Sequence, residues 1–275
     1  MPADPRPTIV SRLRAAGCVF AEDEADLLVA ATTSEPELES MVARRVSGQP
    51  LEHVLGWAEF CGLRIVVAPG VFVPRRRTQV LAREAIALGR LAEPPAVVVE
   101  LCCGSGAISA ALTAALGSLE LYVADIDAGA VRCARRNIPP TVGQVLEGDL
   151  YAPLPATVRG RVDVLVVNAP YVPTEAIDTM PPEARTYEPR PALDGGGDGL
   201  DVLRRVVVEA RQWLAPGGHL LFETSESQTA AALRLVAQQG LMARIVADED
   251  LGATVVIGSQ DQPRARSAAI CSTRS

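Results

Sequence analysis

Residues 96–106 read AVVVELCCGSG, and apolar residues at helical spacing begin directly after them. A continuous apolar run without inside–outside alternation suits a strand covered on both faces, as parallel strands are. Gly104 and Gly106 then permit a tight turn and close approach of the backbone by a ligand. The helix that follows presents unpaired N–H groups at its start. From here the pattern repeats. Strands are expected near 119–124, 144–147, 163–167, 218–223, 241–247 and 253–258, with helices near 106–116, 128–137, 199–215 and 226–239. Such alternation implies an α/β protein with a doubly wound sheet, whose ligands bind beyond the carboxyl ends of the strands where the strand order reverses.

Upstream the character differs. Residues 9–47 carry three amphipathic helical patterns, the first ending on Gly17. Residues 54–73, VLGWAEFCGLRIVVAPGVFV, are rich in β-branched and aromatic residues punctuated by Gly56, Gly62 and Gly70, which predicts a short hairpin. The expected organisation is a small helical domain over 1–52, a hairpin linker over 53–78, the α/β domain over 79–260, and a polar, aperiodic, frayed tail over 261–275.

Composition narrows the function classes. The 275 residues carry a net charge of −7, which argues against a chain built to hold a nucleic acid, because that affinity rests on phosphate neutralisation. All 26 basic residues are arginine. No run approaches the ~18 to 20 uncharged residues that cross a bilayer, and the start MPADPRPTIV lacks a basic segment followed by an apolar one, so the chain reads as cytosolic. Six cysteines, Cys18, Cys61, Cys102, Cys103, Cys133 and Cys271, lack metal-ligand or disulfide-framework spacing and read as reduced thiols, with no metal site.

The chemistry-bearing residues sit at strand ends. Asp125 closes the strand LYVAD about 20 residues after the glycine loop, where a carboxylate can accept both hydroxyls of an adenosine ribose. A third glycine is missing, since position 109 is Ser109, so the tight helix packing expected around a pyrophosphate is not signalled. A nucleoside without phosphates fits better, pointing to S-adenosyl-L-methionine rather than NAD. After the strand VDVLVV comes Asn168-Ala169-Pro170-Tyr171, facing the glycine loop across the switch point. Taken alone, Asn168 also reads as an Asx-type turn ending a strand. His53 and His219 read as structural.

The segment Asn168–Tyr171 resembles the N-P-P-Y motif of amino-group methyltransferases. The chain as a whole resembles the HemK/PrmC family, the protein-glutamine N-methyltransferases that modify peptide-chain release factors. The resemblance runs through RRVSGQPLEHVLGWAEFCGLRIVVAPGVFVPR, ELCCGSGA, VADIDAGAVRCARRN, EGDLY, NAPYVP, YEPRPALDGGGDGL and LAPGGHLLFE. It implies a Rossmann-like class I methyltransferase sheet and S-adenosyl-L-methionine held by Glu100, Cys102, Cys103, Gly104, Ser105, Gly106, Asp125, Ile126, Asp149, Leu150 and Asn168. The protein substrate is then a release factor bearing a glutamine, met by Arg75, Thr78, Tyr171 and Glu188, with Asn168, Ala169, Pro170 and Tyr171 as the catalytic loop. On the residues alone, Asp149 also reads as a loop cap, Arg75 as a solvated charge, and Glu188 as the partner of a nearby arginine.

A mechanism follows. An amide nitrogen is a poor nucleophile, and two acceptors for its N–H groups would localise its lone pair: the Asn168 side-chain oxygen and the Ala169 carbonyl, with Tyr171 packed on the amide plane. The chain departs from the family at Ala169, where a proline is usual, at the two cysteines of the glycine loop, and at PRRRTQ, where Arg77 and Gln79 replace the carboxylates of P-R-x-E-T-E. These departures keep open a divergent paralogue with a different protein substrate or a catalytically silent S-adenosylmethionine-binding scaffold. N-methylation of an exocyclic base amine is the other enzymatic alternative.

Overall fold

The computed structural model describes residues 4–261, so the tail expected over 261–275 lies, from residue 262 on, outside the described residues. Four helices come first: α1 (Arg6–Ala15), α2 (Ala21–Ala31), α3 (Glu35–Val46) and the short α4 (Leu51–Leu55). Ile9, Leu13, Ala25, Leu28, Met41 and Val42 recur at helical spacing and bury one another. Between them the buried Arg45 donates through Nε to Glu24 at 2.6 Å.

The hairpin lies within the expected span. Strand β1 (Trp57–Phe60) pairs antiparallel with β2 (Leu63–Val66), and the two residues between them, Cys61 and Gly62, have φ of 52° and 75°. Positive φ at both central positions is the turn whose twist matches the flanking strands. Helix α5 (Thr78–Gly89) was not expected from the sequence. No side chain caps its start and its first turn has no acid, so the usual start signals are missing. Burial of Val80, Leu81, Ala82 and Ala85 holds it instead.

The α/β unit follows as β3 (Ala96–Leu101), α6 (Ala107–Ala115), β4 (Leu119–Asp125), α7 (Ala128–Asn137), β5 (Gly143–Glu147), β6 (Val162–Val167), α8 (Pro182–Tyr187), α9 (Asp201–Trp213), β7 (Leu214–Thr224), α10 (Thr229–Gln238), β8 (Met242–Asp248) and β9 (Ala253–Ser259). The sheet order is β5-β4-β3-β6-β7-β9-β8, parallel as far as β7, with β9 antiparallel to both neighbours. All six residues of β3 are buried, as its unbroken apolar run requires. Ala96 and Val98 join α5, α6 and α7 on one face, while Val97, Val99 and Leu101 join α9 and α10 on the other.

Strand β7 begins earlier than expected, at Leu214, because Gly217 and Gly218 continue it rather than break it: Gly217 donates to the Gln260 carbonyl at 3.1 Å, and Gln260 donates back to the Gly218 carbonyl at 2.9 Å. The strand order reverses between β3 and β6. Register then decides what meets there. Leu101 pairs with Ala124 and with Val167, and Val167 pairs with Phe222. The next residue on each strand is therefore Cys102, Asp125, Asn168 and Glu223, side by side along the carboxyl edge.

Candidate active site

The loop after β3 is held from below. Glu100 is 2% exposed, and one of its oxygens accepts the Ser109 N–H at 2.9 Å and also the Ser109 hydroxyl. Burial pushes its carboxyl up from 4.5 to about 7, against the pull of the Ser109 hydrogen bonds and with the Asp125 charge adding to the rise. The folded chain therefore binds a proton there that the unfolded chain has released, and stability falls as pH rises from about 4.5 to about 7. Glu100→Gln is expected to flatten that slope, read from urea unfolding midpoints at about pH 5 and about pH 8.

Gly104 donates its N–H to Asp125 Oδ2 at 2.8 Å, and Asp127 donates to Oδ1 at 2.9 Å. Each Asp125 oxygen thus keeps a free lone pair. Gly104 has φ +54°, and a Cβ there would meet no protein atom within 4 Å, so its open side is cavity. Gly106, at φ +74°, serves packing: a Cβ would lie 2.9 Å from Ile138 Cδ1 and 3.2 Å from Ala134 Cβ on α7. Cys102 takes the left-handed conformation, φ 55°, where glycine is usual, and burial raises its thiol far above the ordinary value. It is a neutral wall residue.

These groups line one cavity of about 670 Å³. It contains Glu100, Cys102, Cys103, Gly104, Ser105, Asp125, Ile126, Asp149 and Leu150 toward the glycine loop, and Arg75, Thr78, Asn168, Ala169, Pro170 and Tyr171 toward the hairpin. Gly106 and Glu188 stand outside the lining. Asp149 pairs with Arg205 of α9 at 2.6 Å, and the neighbouring Tyr151 anchors the turn by stacking on Trp213 and donating to the Val206 carbonyl at 2.8 Å. Glu188 pairs with Arg75 and accepts the Val73 N–H at 3.1 Å, so it holds the segment leading into the cavity. Arg75 also lies over the Phe72 ring, 4.7 Å from its centroid.

The Asn168–Tyr171 loop is gripped from outside. Val172 donates to the Leu193 carbonyl at 3.0 Å and accepts from Gly195 at 2.8 Å. The buried Gln228 donates from Nε2 to the Tyr171 carbonyl at 2.8 Å and to the Asp198 carbonyl at 2.9 Å. A Cβ on Gly195 would lie 2.7 Å from the Pro170 carbonyl oxygen, which only glycine permits. The rigidity that a proline at position 169 would lend is thus supplied by the 193–199 segment and Gln228.

One residue not singled out in the sequence joins this group. Glu223, 2% exposed, accepts from Thr78 Oγ1 at 2.7 Å through one oxygen, and from Tyr171 OH at 2.8 Å and Arg77 Nε at 2.9 Å through the other. The signal for Glu223 was present: it closes the strand expected at 218–223, the same placement that drew attention to Asp125 and Asn168. Burial, with Glu223 alongside, pushes the Tyr171 phenol above its usual value, so it is a hydrogen-bond donor at neutral pH. His53 and His219 stay apart from the cavity, bonded to the Val71 carbonyl and to Ser259.

A family model described as the methyltransferase small domain matches residues 62–186. A release factor glutamine methyltransferase from Geobacter sulfurreducens is 38% identical over 222 residues, covering 80% of this chain and 76% of that protein. The chain belongs to the release factor glutamine methyltransferase family. A further relative of this family member, from Streptomyces pristinaespiralis, is named 4-amino-L-phenylalanine/4-methylamino-L-phenylalanine methyltransferase; it is 34% identical and covers 83% of this chain and 78% of that protein. Among solved structures, a 16S rRNA N2 methyltransferase from T. thermophilus, in complex with AdoMet and guanosine, superposes with a TM-score of 0.54 at 20% identity, covering 74% of this chain and 49% of that one. At that identity the likeness speaks for the class I methyltransferase fold alone. Among the described residues no helix is long and apolar enough to cross a membrane, and no His/Cys/Asp/Glu group could hold a metal ion.

Proposed function

We propose that this chain transfers a methyl group from S-adenosyl-L-methionine to the side-chain amide nitrogen of a glutamine in a protein, and that a peptide-chain release factor is its substrate. The carrying observation is that Asn168 stands in the same cavity as Gly104 across the reversal of strand order, with its Nδ2 turned away to Thr78 at 3.5 Å. That leaves Oδ1 as an acceptor toward the cavity.

The residues present fit S-adenosylmethionine. Gly104 offers an open cradle, and Asp125 retains lone pairs for two ribose hydroxyls. Asp125 and Asp127 line this half of the cavity beside Asp149, which pairs with Arg205, and Glu100, which burial leaves partly protonated near neutral pH. Such a field suits a sulfonium and an ammonium and opposes a pyrophosphate. When bound, S-adenosylmethionine supplies an electrophilic methyl group.

The chain's own residues then position the acceptor. Asn168 Oδ1 and the Ala169 carbonyl take its two N–H groups and localise the nitrogen lone pair, and the Tyr171 ring bounds the site. Positioning of this kind is worth roughly 7 to 11 kcal/mol in favourable systems. The methylated nitrogen is acidic enough to release its proton without a strong base. The helical segment at the N-terminus, joined to the cavity rim by the Tyr187 hydroxyl on the Ser47 carbonyl at 3.2 Å, is the docking element for the protein substrate.

Gly104→Ala is expected to weaken donor binding by about tenfold or more, a change of about 1.4 kcal/mol. The left-handed backbone adds a strain of roughly 1–2 kcal/mol to the fold. Calorimetry reads the affinity, and an unchanged value would move the nucleoside away from this loop.

The functional test is incubation with labelled methyl donor and cell extract, followed by mass spectrometry of labelled proteins. A gain of one methyl group on a release-factor glutamine supports the reading. The Streptomyces pristinaespiralis relative favours a second one, a small aryl amine as acceptor. Label confined to small amines would decide for it, and label confined to RNA or DNA would reject both.

A further inference from the structure

We propose that Glu223 is a positioning residue that decides, through Thr78, which end of the Asn168 amide faces the acceptor. The inference rests on the reading of Asn168 as an acceptor of the incoming N–H group. Its evidence is the chain of contacts that closes behind the cavity wall.

A carboxamide is nearly symmetric in shape, with an oxygen that accepts and a nitrogen that donates, so its orientation is set by what its neighbours offer. Thr78 has one hydroxyl proton, and it is directed to Glu223 Oε2 at 2.7 Å. Toward Asn168 the same oxygen can then only accept. It therefore draws Nδ2 to itself, at 3.5 Å, and repels Oδ1 into the cavity. Without the carboxylate, Thr78 is free to donate to Asn168 Oδ1. The amide then turns its NH2 to the acceptor, where two NH2 groups would confront one another.

Glu223 is well suited to impose this direction. It is buried, ionised carboxylates only accept, and Arg77 supplies the compensating charge that a buried carboxylate needs. Tyr171 shares the oxygen that Arg77 uses, Thr78 takes the other, and Glu223 itself stands outside the cavity lining, so it does not meet the acceptor directly. Arg77 stands where the family pattern carries an acid. In this chain the Arg77–Glu223 pair therefore sets the polarity of the network from a single buried negative charge. Asn168 and Glu223 meet by register, since Val167 pairs with Phe222 and sets the two residues that follow side by side.

The decisive variant is Glu223→Gln. It keeps the shape and presents an NH2 that can donate to Thr78, which reverses the hydrogen-bond direction. We expect kcat to fall about a hundredfold, the loss typical of a reacting group held in the wrong geometry. Donor affinity by calorimetry and the thermal midpoint should stay near wild type. Thr78→Val should lose kcat likewise, and Thr78→Ser, which keeps the hydroxyl, should retain it.

An acceptor-independent readout is the side-chain NH2 resonance of Asn168, assigned against Asn168→Asp. It should move in Glu223→Gln and stay in Thr78→Ser. An unmoved resonance, or undiminished kcat in a folded Glu223→Gln protein, would overturn the proposal. Loss of donor binding together with activity would overturn it too, by showing a merely structural role. Absence of methyl transfer by the wild-type chain to any glutamine defeats the functional reading instead, and the resonance still reports on Glu223.

Discussion

Replacing Asn168 by alanine is expected to lower kcat by about two to three orders of magnitude while leaving donor affinity close to wild type. The size follows from removing one preorganised polar group aimed at a reacting atom, which commonly costs that much. Selectivity for kcat follows from place. Asn168 directly follows β6, and its side chain leans on Thr78 rather than on the glycine loop, so the Gly104–Asp125 pairing is untouched. Stability should change little, because the only side-chain hydrogen bond lost among the described residues is the long one to Thr78. Steady-state kinetics with labelled donor, paired with calorimetry, measures both. Undiminished turnover would remove the amide clamp from the mechanism.

Gly199→Ala is expected to cost about 2–4 kcal/mol of stability and most of the activity. Two terms add. Gly199 has φ +78°, where a side chain is strained by roughly 1–2 kcal/mol. In addition, its Cβ would overlap the Tyr171 carbonyl oxygen and Gln228 Nε2, the two atoms whose hydrogen bond fixes the Asn168–Tyr171 loop. Forcing a methyl group into such a contact typically costs about 1–3 kcal/mol. Relief requires the Tyr171 carbonyl to move, which carries Pro170 and Ala169 with it. Gly197→Ala is the control, since a Cβ there meets nothing within 4 Å and its φ is not positive. Urea midpoints and turnover of the two variants should differ sharply, and equal behaviour would show that the 195–199 segment does not brace the loop.

Much of the architecture was legible in the chain because it depends on patterns that repeat. The apolar run 96–101, the glycine loop and the regular return of strands led to a doubly wound sheet, and the sheet is there with its reversal between β3 and β6. Helix α5 escaped because tertiary burial, rather than capping, holds it. At Gly106 the bare Cα also faces Ile138 and Ala134, a helix contact no local pattern signals. Asp149 and Glu188 each had two readings in the sequence; in the structure Asp149 pairs with Arg205 while lining the cavity, and Glu188 pairs with Arg75 just outside it.

Residue order alone determined which groups stand at strand ends, since hydrophobic periodicity and the glycines that follow it are local properties of the chain. Asp125 and Asn168 were found that way. Which strand ends become neighbours was decided only by tertiary structure. Pairing Leu101 with Val167, and Val167 with Phe222, sets Asn168 between Cys102 and Glu223. Strand register is a long-range choice, made by burying two sheet faces at once, and a shift of one residue would turn each of these side chains to the opposite face. The ion pair of Arg77 with Glu223, 146 residues apart, joins the start of α5 to that sheet edge and has no local signature.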